Sequence, residues 1–189
     1  MWIFAYGSLI FRPSFEHLER RPAVLPGWAR RFWQGSPDHR GVPEAPGRVA
    51  TLVPLAGALC TGVAYRIDPE GSEEVLAALD HREIAGFVKR LLPVFDREGD
   101  EAPFAEAITY VADEGNPHFL GPLDERGIAA HVARSRGPSG PNAEYVLRLQ
   151  EALAELGFAD PHVDEVARWL RRDEGEARSQ GTPSRRDRC

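Results

Sequence analysis

The chain has little cysteine and no long apolar run, and both absences narrow the kinds of protein it can be. Its two cysteines, Cys60 and Cys189, are too few for a disulfide scaffold, so we expect a reducing compartment, the cytoplasm. No apolar stretch approaches the roughly 20 residues that cross a bilayer, which argues against a membrane partner. The short apolar start at residues 1–6 has no basic segment before it and predicts a strand, not a signal peptide.

A positive net charge is also missing. The 23 basic and 29 acidic residues give a formal net charge of −6, opposite in sign to that of a typical nucleic-acid binder, so we expect no nucleic-acid partner. The length and the 42% apolar content predict one folded domain, residues 1–172. The polar, Arg-rich residues 173–189 lack an apolar period and are predicted to form a disordered tail.

Several well-known site motifs are absent as well. The chain has no P-loop, no Gly-x-Gly-x-x-Gly at a helix start and no His-Glu-x-x-His, which argues against nucleotide, dinucleotide and zinc-protease sites of those kinds. The stretch at residues 137–141 comes near a nucleophile elbow, but Pro141 replaces the final glycine.

The first two-thirds of the chain is predicted to consist mainly of strands, with one helix among them. The candidate strands are residues 3–6, 24–34, 49–53, 59–67, 88–95 and 107–111. The helix has an apolar face at residues 75, 76 and 79, a start at Asp68 or Ser72, and an end near residues 80–82.

The last third is predicted to be helical. Ile128 and Val132 indicate one helix, Asn142 is expected to cap a second that stops at Gly157, and Asp160 is expected to cap a third. Strands first and helices later predict an α+β domain, built on a small mixed β-barrel or curved sheet with flanking helices.

Tyr6-Gly7-Ser8-Leu9, directly after the first strand, is the first candidate site. A glycine at a strand end lets the backbone turn sharply, so that N–H groups can face a small anion such as a carboxylate. An ordinary Gly-Ser turn is the alternative.

Residues 79–87 form the second candidate, because four ionisable residues there precede an apolar stretch. A carboxylate at such a junction, desolvated in a barrel mouth, suits a general base. A solvated helix end is the alternative, with His81 and Arg82 complementing the helix dipole.

Three further features have weaker functional interpretations. The arginines and aromatics of residues 30–34 suggest RNA stacking, or else an amphipathic strand with aromatic residues in the core and arginines in water or paired with acids. Asp38, His39, Asp80 and His81 are a weak candidate metal set. The Tyr145 hydroxyl could reach a site, although a partly buried core tyrosine is the commoner case.

Several blocks, in order and with few gaps from residue 1 to about 170, resemble the ChaC-type γ-glutamylcyclotransferases. They are residues 6–10, 31–36, 38–41, 46–49, 79–83, 116–117, 120–122 and 137–145. The resemblance implies a γ-glutamylcyclotransferase-like barrel, and an enzyme that cleaves glutathione into 5-oxoproline and Cys-Gly without a cofactor or metal.

The same resemblance assigns residues to roles. It maps the catalytic glutamate onto Glu83 and the loop that holds the γ-glutamyl group onto Tyr6, Gly7, Ser8 and Leu9. It matches a second acidic position to Glu74, and we add Tyr145 to the substrate-binding candidates.

Two departures from the family pattern bear on the choice of substrate. Ala5 stands where the family usually has glycine, and residues 84–87, Ile-Ala-Gly-Phe, replace Lys-Gly-Gly-Tyr. The alternatives are therefore a cyclotransferase or amidohydrolase for other γ-glutamyl amines, or a non-catalytic RNA- or ligand-binding module. The sequence does not predict an oligomeric state.

Overall fold

A long antiparallel β-hairpin forms one side of a curved five-stranded sheet. The structure is a computed structural model and describes residues 1–83 and 85–180. Its strands are β1 (Trp2–Ala5), β2 (Glu19–Ser36), β3 (Gly47–Arg66), β4 (Val88–Val94) and β5 (Ala105–Val111), arranged in the order β2-β3-β1-β5-β4. A separate small hairpin pairs β6 (Arg136–Gly137) with β7 (Gly140–Pro141).

The β2–β3 hairpin is longer than the sequence indicates, because the predicted strands at 49–53 and 59–67 belong to one strand. The pairing runs from Glu19 opposite Arg66 to Ser36 opposite Gly47, and the register shifts where the strands are irregular. One shift follows Pro26, where Gly27 has φ 79°. Because β2 is an edge strand, its prolines do not interrupt the hydrogen bonds of a central ladder.

The short strand β1 lies in the middle of the sheet and makes the sheet mixed. It pairs antiparallel with β3 and parallel with β5. The two edge strands approach each other at one point, where Val24 and Phe95 exchange backbone hydrogen bonds of 2.9 and 3.0 Å. The sheet is therefore strongly curved but not closed into a barrel.

In the part of the chain that the structure describes, four α-helices flank the sheet: α1 (Ser72–Arg82), α2 (Glu125–Arg134), α3 (Asn142–Glu155) and α4 (Pro161–Gln180). The apolar stripes predicted for the last three pack into one core with the sheet, through residues such as Ile128, Leu149 and Val166. Asp160 caps α4 as expected, because its Oδ1 accepts hydrogen bonds from the amides of His162 and Val163.

The prediction that Asn142 caps α3 is wrong. Asn142 is the first residue of the helix, and Pro141 occupies the cap position. The buried Asn142 side chain instead accepts from the Arg48 amide at 2.6 Å and donates to the Arg48 carbonyl at 2.8 Å. Two hydrogen bonds to β3 thus fix the start of α3 against the sheet.

Helix α4 continues into the segment predicted to be a tail, since it ends at Gln180. The rest of that segment, residues 181–189, lies outside the described residues. None of the helices that the structure describes is both long and apolar enough to cross a membrane.

Candidate active site

A cavity of about 330 Å³ opens where β1 ends and the chain turns. It is of the size that binds small molecules. Six residues singled out from the sequence line this cavity together: Tyr6, Gly7, Ser8, Leu9, Glu83 and Tyr145. The turn after β1 and the end of α1 are therefore neighbours in space, although about 75 residues separate them along the chain.

Glu83 enters the cavity from the C-terminal end of α1. It occupies the cap position there, and its amide donates to the Leu79 carbonyl at 2.9 Å. Its side chain is 19% exposed. Burial raises the pKa of the Glu83 carboxyl, the charge of Arg82 opposes that rise, and the carboxylate of Asp38 adds to it. A carboxyl group with a raised pKa can exchange protons near neutral pH.

The turn after β1 is a short 3₁₀ helix, Ser8–Ile10, in which the Ile10 amide donates to the Gly7 carbonyl. The first amides of such a turn have no acceptor within it. A Cβ at Gly7 would lie 3.2 Å from the Tyr145 hydroxyl, so glycine leaves room there for the tyrosine.

Two buried tyrosines support this turn from behind. The Tyr6 hydroxyl donates to the Tyr110 carbonyl at 2.5 Å, and the Tyr145 hydroxyl accepts from the Ala50 amide at 3.2 Å. Burial raises the pKa of both phenols, so they stay neutral and act as hydrogen-bonding groups.

The loop between β2 and β3 forms another wall of the cavity. Asp38, His39 and Arg40 lie on it, and Ser139 reaches the same wall from the β6–β7 hairpin. The two segments are joined by backbone and side-chain bonds, in which the Ser139 amide donates to the His39 carbonyl at 2.9 Å and Arg40 Nη1 donates to the Pro141 carbonyl at 2.9 Å.

Glu74, a predicted site residue, is not brought to the cavity. It lies in the first turn of α1 and is exposed. Eight residues of helix, about 12 Å, separate it from Arg82 at the cavity end. The helix geometry thus allows only one end of α1 to reach the site.

The candidate metal set is also divided. Asp38 and His39 line the cavity, whereas Asp80 pairs with Lys89 at 2.8 Å and His81 is exposed. Within residues 1–83 and 85–180, no group of three or more His, Cys, Asp or Glu side chains could hold a metal ion.

Comparison with known proteins identifies the family. The family model described as ChaC-like protein matches residues 1–173. The chain belongs to the ChaC-like family. A relative from Arabidopsis thaliana, γ-glutamylcyclotransferase 2-3, is 41% identical over 176 residues, 90% of this chain and 88% of that protein.

Two further comparisons concern proteins whose names include glutathione. Glutathione-specific γ-glutamylcyclotransferase 1 from Danio rerio is 40% identical over 167 residues, 86% of this chain and 85% of that protein. The crystal structure of a γ-glutamyl cyclotransferase specific to glutathione from yeast superposes with a TM-score of 0.85 at 29% identity. That match covers 91% of this chain and 96% of the yeast chain, and it confirms the predicted α+β fold with a curved sheet and flanking helices.

Both departures from the ChaC-like pattern lie on the cavity wall. Ala5 lines it at the end of β1, and Ala85 and Phe87 line it beyond Glu83. The changes therefore face the space in which a ligand would lie. Phe87 offers a ring without the hydroxyl that the family's usual tyrosine has.

Some residues that shape this ChaC-like site were not predicted to take part in it. Gln34 is buried, and its Nε2 donates to the Ala85 carbonyl at 2.8 Å, which holds the chain beyond Glu83. Tyr110 lines the cavity from the end of β5 because β5 pairs with β1. Such contacts depend on strand pairing between distant segments, which a local pattern does not predict.

Proposed function

We propose that the protein is a glutathione-specific γ-glutamylcyclotransferase, an enzyme that releases 5-oxoproline and Cys-Gly. Family membership supports this proposal, as do the glutathione-specific relatives at 34–40% identity and the yeast structure. The observation that carries it is the half-buried Glu83 carboxyl, which shares one cavity with the turn at Gly7 and Ser8.

The proposed reaction is an intramolecular aminolysis. The substrate's α-amino nitrogen bonds to its own γ-carbonyl carbon and closes a five-membered lactam, while the bond from that carbon to the cysteinyl nitrogen breaks. Attack requires a neutral amine, so Glu83 takes one proton from the ammonium group and gives it to the leaving nitrogen as the C–N bond breaks. The second proton that the attacking nitrogen loses when the lactam forms also passes to the leaving amine, which departs as an ammonium group. No net proton or electron is gained or lost by the protein.

Folding the γ-glutamyl chain into a ring-closing shape is the other part of the task. Bringing the two reacting groups together can remove several kcal/mol from the barrier. In this proposal the amides near Gly7 and Ser8 hold the α-carboxylate or the developing oxyanion, and Tyr6, Leu9 and Tyr145 shape the space around it.

Replacing Glu83 by glutamine tests this assignment. Glu83→Gln keeps the shape of the side chain but removes the proton acceptor, so we expect the release of 5-oxoproline from glutathione to fall about 10²–10⁴-fold. Glu73→Gln is the matched control, because Glu73 is an exposed acid in the first turn of the same helix. A folded Glu83→Gln protein with undiminished turnover would refute the role of Glu83.

Mass spectrometry of the products separates this reaction from its rivals. A cyclotransferase yields 5-oxoproline, whereas an amidohydrolase yields free glutamate. A panel of other γ-glutamyl amines, assayed beside glutathione, shows which substrate a site with Ala5 and Phe87 prefers. The cytoplasmic location, inferred from the small number of cysteines, stays a prediction.

A further inference from the structure

Arg82 touches three parts of the candidate site at once. Its Nη2 lies 2.7 Å from the Ser8 Oγ, its Nη1 lies 3.3 Å from the Ser14 Oγ, and its Nε lies 3.4 Å from Glu83 Oε1. The serines precede Arg82 by 74 and 68 residues. One guanidinium thus connects the turn after β1, the segment that follows this turn, and the carboxyl group at the end of α1.

These contacts differ from those of an arginine that only complements a helix dipole. A positive charge in the last turn of a helix is favourable wherever its side chain points, and needs no partner outside the helix. Arg82 instead reaches two hydroxyl groups from another part of the chain, and one belongs to the turn that lines the cavity. The planar fork of arginine can bond in several directions at once, which the single ammonium of lysine does not match.

The Arg82–Glu83 pair is more shielded from solvent than a typical surface pair. The two side chains are 24% and 19% exposed, whereas Arg90 and Asp113, an ion pair with the same 3.4 Å separation, are 45% and 49% exposed. Exposed ion pairs contribute little, because water screens them. The charge of Arg82 therefore acts on Glu83 with less screening.

We propose that Arg82 is a positioning residue for the reaction: its guanidinium holds the Glu83 carboxylate beside the turn at Ser8, with its positive charge against that carboxylate, so that Glu83 can receive the substrate's proton. The proposal rests on the proposed function, which gives Glu83 its chemical role. Arg82 itself acts through Glu83 and Ser8.

Other titratable groups face Glu83 from the neighbouring elements, and Arg82 opposes their effect. Asp38, from the loop after β2, places a second carboxylate nearby and raises the pKa of Glu83. Tyr6 from the turn after β1, Tyr110 from β5 and Tyr145 from α3 also face Glu83, and each stays neutral because its own pKa is raised. Arg12, His39 and Arg40 also line the cavity, but Arg82 is the cation that lowers the pKa of Glu83.

Two substitutions separate the charge of Arg82 from its shape. In Arg82→Gln the opposing charge is lost, so burial and Asp38 act alone and the pKa of Glu83 rises. The lower limb of the pH profile of kcat/KM then moves to higher pH. In Arg82→Lys the charge remains, so this limb stays near that of the wild type, but kcat falls by up to about 10²-fold because the contact with Ser8 is lost.

The experiment combines those pH profiles with a titration that needs no substrate. The carboxyl ¹³C signal of Glu83, assigned by its loss in Glu83→Gln, is followed against pH in the wild type, Arg82→Gln and Arg82→Lys. Arg90→Gln is the control, because it removes one positive charge from an ion pair of equal length outside the cavity. We expect an upward shift of the Glu83 titration in Arg82→Gln alone.

The outcomes are distinguishable. An unchanged Glu83 titration in Arg82→Gln, with a wild-type protein that does release 5-oxoproline, overturns the role of Arg82 and leaves the proposed function standing. A wild-type protein that turns over no γ-glutamyl compound overturns the proposed function and the positioning role with it. Should Arg82→Gln fail to fold, Arg82→Lys decides: wild-type kcat and KM in that variant overturn the proposal.

Discussion

At the scale of the residue, the burial that prepares Glu83 for proton transfer also costs stability. Its pKa is raised in the folded protein, mainly by burial, so the folded state binds this proton more tightly than the unfolded chain. The contribution of this carboxyl group to folding stability is therefore fully present at low pH. This contribution is lost as the pH rises from the pKa of the group in the unfolded chain, about 4.3, through its higher pKa in the folded protein.

This relation predicts a stability gain from Glu83→Gln. Glutamine carries no charge, so the variant does not lose stability at neutral pH as the wild type does when its buried carboxyl group ionises. We expect its free energy of unfolding to exceed that of the wild type at pH 7–8, and the excess to shrink towards pH 4. Urea unfolding at several pH values measures both. A variant that is less stable at pH 8, or a difference that does not vary with pH, would contradict the assignment of a buried acid.

Single residues were predictable from the sequence where a backbone requirement or a charged junction marked them. Gly7 follows a strand end, and Glu83 ends an ionisable stretch, so both could be selected as candidates. Arg30 shows the limit: the sequence expects this arginine in water or paired with an acid. Arg30 is paired with an acid, as the second of these alternatives has it, but the burial of the pair was not predicted. The arginine is almost fully buried, with its Nη1 2.5 Å from Asp160 Oδ2 and its Nε 2.7 Å from the Tyr6 carbonyl. Its partner lies 130 residues away, a distance that no local pattern spans.

At the scale of the element, two loops form one wall because their backbones are in close contact. Gly137, in β6, lies directly against the loop between β2 and β3. A Cβ at this position would be 2.3 Å from the His39 carbonyl oxygen and 2.6 Å from the Gly41 nitrogen. Backbone atoms cannot rotate away as a side chain can, so the absence of a side chain at Gly137 is what allows this packing.

Gly137→Ala is therefore expected to displace the wall that carries Asp38 and His39. We predict a loss of about 1–3 kcal/mol in stability, the usual result of overpacking, together with a raised KM for glutathione. Gly71→Ala is the control, since a Cβ there meets no atom within 4 Å and the residue does not have a positive φ. Denaturant unfolding and steady-state kinetics measure the two effects. A Gly137→Ala protein that matches Gly71→Ala in both would show that the wall is not tightly packed.

The elements themselves were largely predictable, but their pairing was not. Apolar patterning located α1, α2, α3 and α4 and the cores of the five strands of the large sheet. Periodicity does not reveal that β1 lies between β3 and β5, or that β2 and β3 are two long strands paired with each other. Those features depend on residues that are distant in the sequence. The cavity results from this pairing, since it brings the ends of β1 and β5 together beside Glu83.

At the scale of the whole molecule, the architecture favours a small-molecule site over an RNA surface. An RNA-binding role for residues 30–34 requires arginines that face the solvent, yet Arg30 is buried and paired with Asp160. The net charge of −6 adds a general repulsion towards phosphate backbones. The cavity, by contrast, gathers two acids, a glycine turn and three arginines in a space of small-molecule size.

The extent of the domain gives a last prediction. The buried apolar positions among the described side chains of α4 are Val163, Val166, Ala167 and Leu170, and residues 171–173 are exposed. The family match also ends at residue 173. We therefore propose that the folded unit does not need the chain beyond this point, although α4 itself continues to Gln180.

Truncation after Asp173 tests this boundary. These four buried apolar positions of α4 remain in the shortened chain, so we expect its free energy of unfolding to stay within about 0.5 kcal/mol of the full chain. Turnover of glutathione should likewise be unchanged. Truncation after Glu165 is the contrasting variant, because it removes Val166, Ala167 and Leu170 from the core, and we expect it not to fold stably. If the chain ending at Asp173 lost activity or unfolded as readily as the shorter one, the residues beyond 173 would belong to the catalytic domain. They would then stabilise the α4 face that packs against α2 and α3.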